Sequence, residues 1–125
     1  MKNPTEIRSA LSHFSGSGTF TKWSPLFPRC VLTEGAECVA NECEAFWLMD
    51  LIASHQINRT VRAEEFQVWK LAKKGEGWRI TAEDGNGREI AVQALGYSNF
   101  PLEEITLWAA RNELGGITIF LPSEY

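Results

Sequence analysis

The chain is poor in the residues from which most active sites and covalent scaffolds are built. It has two histidines, His13 and His55, so any imidazole catalyst or switch must use one of them. Its cysteines, Cys30, Cys38 and Cys43, are odd in number, and none forms a Cys-x-x-Cys pair or has a neighbouring histidine at zinc-ligand spacing. That argues against a zinc site and a disulfide framework, and points to reduced thiols in a cytoplasm. No Gly-x-Ser-x-Gly elbow, phosphate-cradling glycine loop, His-Glu-x-x-His pair or calcium loop occurs. The expectation is a protein with no cofactor, no metal and no catalytic residue.

Long apolar runs are also missing. Met1 to Arg8 does not read as a secretion signal, and the longest mostly apolar stretch, Ala45 to Ala53, contains Asp50 and is too short to span a bilayer as a helix. Basic charge is the minority: 12 Lys and Arg against 16 Asp and Glu leave a net charge of -4. Such a surface repels phosphate, which argues against generic nucleic acid and anionic membranes as partners.

What is present fits one ordinary globular domain. The 125 residues suffice for a single core, and 44% hydrophobic with 22% charged residues needs neither disorder nor covalent staples. Asn3-Pro4-Thr5-Glu6 reads as a helix start, with Asn3 as N-cap, and Ile7, Ala10, Leu11 and Phe14 fall on one face of the helix that follows. Ser15 to Gly18 ends it. Thr19 to Trp23 is rich in strand formers, and Pro25 and Pro28 make the next stretch a connection.

Cys30 to Thr33 and Ala36 to Val39 flank Glu34-Gly35, which predicts a β-hairpin with Cys30 and Cys38 on opposite sides of the ribbon. Asn41 to Glu44 repeats the cap-plus-glutamate pattern and predicts a helix to about Gln56, with Ala45, Leu48, Met49 and Ile52 at the centre of its apolar face. Thereafter the period changes. Phe66 to Leu71, Trp78 to Glu83, Arg88 to Leu95, Glu104 to Ala110 and Ile117 to Leu121 read as strands, with turns at Asp84 to Gly87 and Leu114 to Gly116. The fold expected is a single α+β domain over residues 1–125, an antiparallel meander packed against two helices from the N-terminal half.

Five tryptophans, at 23, 47, 69, 78 and 108, are many for so small a core. Most should pack inside. Trp69 stands opposite Phe66 and Val68 in strand alternation, so it needs a second packed layer or a partner. Charge is segregated. From Cys30 through Asn58 there are Glu34, Glu37, Glu42, Glu44 and Asp50 with no Lys or Arg, while Arg59, Arg62, Lys70, Lys73, Lys74 and Arg79 outnumber Glu64, Glu65 and Glu76 in the next segment. Glu34, Glu37, Glu42, Glu44 and Trp69 are therefore the expected partner-binding residues, and a homodimer is compatible with the same surface. Two other readings compete: a small enzyme using Asp50 in an apolar pocket, where burial would raise its pKa, and a nucleic-acid-binding accessory protein using the Arg59 to Arg79 stretch.

Several segments together carry a resemblance: Phe14-Ser15-Gly16, Leu32-Thr33-Glu34-Gly35, Ala45 to Ser54, Phe66-Gln67-Val68-Trp69, Phe100-Pro101-Leu102-Glu103-Glu104-Ile105 and the terminal Leu121-Pro122-Ser123-Glu124-Tyr125. They span nearly the whole chain, which resembles a bacterial family of unknown function carried on phages, plasmids and other mobile elements. Such a family usually has Asp-Gly where Glu34-Gly35 stands and Tyr-Gln where His55-Gln56 stands, which counts against a catalytic His55. The resemblance implies a setting in which small acidic proteins bind host machinery, and so a non-enzymatic binding module, for example an inhibitor of a defence system such as CRISPR interference.

Overall fold

The computed structural model describes residues 3–14, 20–22, 26–96 and 98–124. The expected stop at Ser15 to Gly18, Trp23 and Pro25 lie outside the described residues. The chain opens with helix α1, Pro4–Leu11, capped as its sequence predicts: the Asn3 side chain accepts from the Glu6 amide at 2.8 Å and donates to the Glu6 carboxylate at 2.7 Å. Ile7 on its inner side is fully buried.

Strand β1, Phe20–Thr21, pairs with β2, Val31–Thr33. The hairpin expected around Glu34-Gly35 does not form; helix α2, Glu34–Glu42, starts there. Thr33 is its N-cap and accepts from the Ala36 amide at 3.3 Å, and Ala36, Val39 and Ala40 bury at helical spacing. A cap, two first-turn glutamates and a 3.6-residue apolar period outweigh the weak turn signal of Glu-Gly. Cys30, Cys38 and Cys43 form no disulfide with one another.

The next helix begins later than expected, because α2 runs through Asn41. It ends in a Schellman motif: the Ala45 amide donates to the Ala40 carbonyl at 2.8 Å and the Glu44 amide to the Asn41 carbonyl at 3.3 Å, with Glu44 left-handed at φ 52°. Helix α3, Phe46–His55, follows, and Leu48, Met49 and Ile52 bury as its periodicity predicts. A short helix α4, Arg59–Arg62, is capped by Asn58, whose side chain accepts from the Thr60 amide at 2.8 Å.

Five further strands lie within a few residues of their expected places: β3 Phe66–Lys74, β4 Gly77–Glu83, β5 Glu89–Leu95, β6 Glu104–Arg111 and β7 Ile117–Phe120. They form one seven-stranded sheet in the order β1-β2-β7-β6-β3-β4-β5, antiparallel except where β2 joins β7. The meander holds only for β3 to β5. β6 then returns to the far side of β3, the strand order of a Greek key. The connection is held by burial: Phe100 and Leu102 are both buried, and Phe100 meets Trp78 edge-on at 6.1 Å. The class is α+β. Register places Trp69, Leu71, Ile80, Ala82, Ile105, Leu107 and Ala109 on one face of the sheet, the core face. No helix among the described residues is long and apolar enough to cross a membrane.

Candidate binding surfaces

The acidic residues singled out by charge come together on α2. At about 100° per residue, Glu34, Glu37 and Glu42 fall within about 140° of arc on its outer side; Glu34 is exposed, and Glu37 and Glu42 are half-buried. Glu44 is exposed in the turn that follows. The start of the helix is locked by the end of the chain. In a 3-10 turn over Pro122–Glu124, Glu124 Oε1 accepts from the Thr33 hydroxyl at 2.7 Å and the Leu121 amide at 2.9 Å, and Oε2 accepts from the Gly35 amide at 3.1 Å. A Cβ at Gly35 would collide with that carboxylate and with Leu121. Glu124 thus supplies negative charge at the positive end of the helix dipole and an acceptor for the Gly35 N–H.

Trp69 does not join this surface. It is 2% exposed, because the second layer it requires is supplied within the fold: its ring lies 5.3 Å from His55 at the end of α3, and its Nε1 donates to Gln67 Oε1 at 2.9 Å. Asp50 is exposed on α3 and lies in no apolar pocket. His55 Nε2 meets Gln93 Oε1 of β5 at 2.8 Å.

Burial of Gln67 is unusual for a polar side chain, and every one of its atoms is satisfied. Its amide nitrogen donates to Gln56 Oε1 at 2.9 Å and to the Val61 carbonyl at 3.0 Å; its oxygen accepts from Gln56 at 2.8 Å and from Trp69. This network fastens α4 and the preceding turn to β3.

The wall so fastened borders a cleft of about 770 Å³ at one end of the sheet. Phe27, Cys30, Ala53, Ile57 and Ile117 contribute an apolar lining, and Arg29, Arg59, Arg62 and Arg111 surround it. Its backbone is braced on each side. Asn112 Nδ2 donates to the Arg29 carbonyl at 2.9 Å, Gly116 lies so close to the Arg29 backbone that a Cβ would collide with it, and Arg111 Nη2 donates to the Arg62 carbonyl. None of the four guanidiniums has an ion pair among the described residues. The one carboxylate in the lining, Glu64, faces Arg88 at 3.7 Å. Burial pushes the Cys30 thiol above its ordinary pKa, partly offset by its hydrogen bond with the Ile117 backbone, so this sulfur stays protonated near neutrality and is a poor nucleophile.

With this geometry in view, the chain's affiliation follows from comparison. The chain belongs to a family of unknown function, DUF6876, whose profile matches residues 5–125. No curated protein and no solved structure matches it. Five of the segments singled out in the sequence have structural roles among the described residues. Leu32 to Gly35 and Leu121 to Glu124 form the lock at the start of α2, Ala45 to Ser54 is the core helix, Phe66 to Trp69 holds the Gln67 network, and Phe100 to Ile105 is the buried crossing. All four arginines of the cleft stand outside those segments. Arg29 and Arg111 were not legible as site residues, since no spacing joins 29, 59, 62 and 111; the β2–β7, β6–β7 and β3–β6 pairings bring them to one place. The expected basic edge is divided. Arg59 and Arg62 turn to the cleft, while Lys70 pairs with Glu104 at 3.5 Å, and Lys73, Lys74 and Arg79 lie along the β3–β4 hairpin. Among the described residues no group of three or more His, Cys, Asp or Glu side chains could hold a metal ion.

Proposed function

We propose that the protein is a non-enzymatic protein-binding module that docks through the acidic outer side of α2. The observation that carries this reading is the gathering of Glu34, Glu37, Glu42 and Glu44 on one short helix and its following turn, in a stretch without Lys or Arg from Cys30 to Asn58. Such a face complements a basic groove, where matched potential speeds encounter and rejects wrong partners. The partner class is a host protein or defence complex. A mobile-element setting, and inhibition of a defence system such as CRISPR interference, are the finer form of the reading, and the family resemblance alone supports them.

Affinity capture from a bacterial host lysate with mass spectrometry tests it. The E34K/E37K/E42K protein should lose a partner that the native chain retains, and D50N should keep it. Retention by the triple variant together with loss of biological effect in D50N would replace the docking reading with an enzyme built on Asp50.

A further inference from the structure

The arginine cleft is a second feature, independent of the acidic helix. Four cations converge there although the chain as a whole is acidic, and the sole lining carboxylate is turned to Arg88. Guanidinium is the side chain suited to two-point recognition of phosphate and carboxylate oxygens. The floor is apolar, and Ile57, 77% exposed, leaves hydrocarbon facing water at the rim. A ligand that covered Ile57 would therefore gain from burial as well as charge. The volume suits a small molecule.

We propose that this cleft binds a small phosphate monoester carried on an apolar, aromatic body. A monoester bears close to two negative charges at neutral pH and three acceptor oxygens, which several guanidiniums can share; a monocarboxylate would leave most of that positive potential unanswered. Its body would lie on Phe27, Ile57 and Ile117. A polyanion is disfavoured because it must extend beyond the cleft across a surface whose net charge is -4. The backbone of the site is pre-organised: that of Arg29 is held by Asn112, that of Arg62 by Arg111, and α4 by Gln67, so the ordering left for binding is that of the side chains.

Titration calorimetry with phenyl phosphate, inorganic phosphate, phenol and a single-stranded decanucleotide decides the matter. Phenyl phosphate should bind at least about tenfold more tightly than inorganic phosphate, and phenol not measurably, as expected where charge orients and apolar area adds affinity. R59Q/R62Q should weaken phenyl phosphate at least about tenfold. Both side chains are exposed, and a circular-dichroism melt confirms that this variant is folded. Ile57→Asp, which leaves every arginine in place, should also abolish binding. Three results would overturn the proposal: no heat with phenyl phosphate, equal affinity for phenyl and inorganic phosphate, or tighter binding of the decanucleotide. Unchanged affinity in both folded variants would overturn it as well. Capture of a protein partner through α2 is unaffected by any of these outcomes.

Discussion

The start of α2 and the arginine cleft are both polar regions with glycine-enforced close contacts, yet they differ in how their charges are answered. At α2 the carboxylate of Glu124 meets three donors, and Gly35 exists to let it approach. At the cleft, the backbone is held as firmly, through Asn112, Gly116 and Gln67, but the guanidiniums have no carboxylate partner among the described residues. A polar group with its partner inside the fold contributes to stability; one held in place without such a partner is available to a ligand. Substitutions should separate the two kinds.

The largest effect should come from Gln67→Leu. The substitution preserves approximate volume but leaves the Trp69 indole N–H, the Val61 carbonyl and the Gln56 amide without their partners in a buried place. A loss of about 3 kcal/mol is expected, measured by urea unfolding. Because α4 is tied down by the same network, this variant should lose the cleft's ligand binding too. Glu124→Ala should cost less, about 2 kcal/mol, since Glu124 is only half-buried and water can reach some of the donors it leaves. That change should leave the cleft unaltered.

How far these regions were legible depended on the range of the interactions that make them. The Asn3 cap and the alternation of Trp78, Ile80 and Ala82 are local, and the structure follows them. Thr33 was equally local: Leu32, Ala36, Val39, Ala40 and Cys43 recur at helical spacing, and a weak turn dipeptide hid that period. The return of β6 to β3 and the parallel pairing of β2 with β7 are long-range and leave no local mark. The cleft depends on that second pairing. Trp69 shows the same limit from inside, since alternation showed that it required a layer but not that α3 and His55 would supply one.

A pH series sharpens the comparison on the α2 side. Cys43 is fully buried at the end of α2, and burial, with lesser contributions from Cys38 and Glu42, pushes its pKa up to about 12. Below pH 9, the ordinary value for the thiol, folded and unfolded chains are both protonated there and stability is unaffected. Above it the unfolded chain ionises first, so stability should fall by about 1.4 kcal/mol per pH unit until the folded pKa is reached. Cys43→Ala should make that slope shallower, leaving the part due to Cys30, read from urea midpoints between pH 9 and 11. A smaller effect of opposite sign is expected next door. Glu44 holds a left-handed conformation at the Schellman turn, and Glu44→Gly should stabilise by about 0.5–1 kcal/mol, read as a higher melting temperature.

The smallest expected effect is the one that defines the cleft. Arg59 and Arg62 are exposed, and neither side chain has an ion pair or hydrogen bond among the described residues; the bond at Arg62 is made by its backbone carbonyl, which a side-chain replacement preserves. Glutamine keeps a good helix propensity in α4. R59Q/R62Q should therefore change stability by less than about 0.5 kcal/mol, because exposed charges without close partners contribute little to folding. A slight gain is the expected sign, since two like charges on one short helix repel each other. Thermal melting at low and moderate salt reads this out: a difference within about 2 °C that vanishes as salt screens the charges is the expected result. A large loss of stability would mean that these guanidiniums are bound into the fold as Glu124 is, and the distinction between the two regions would fail.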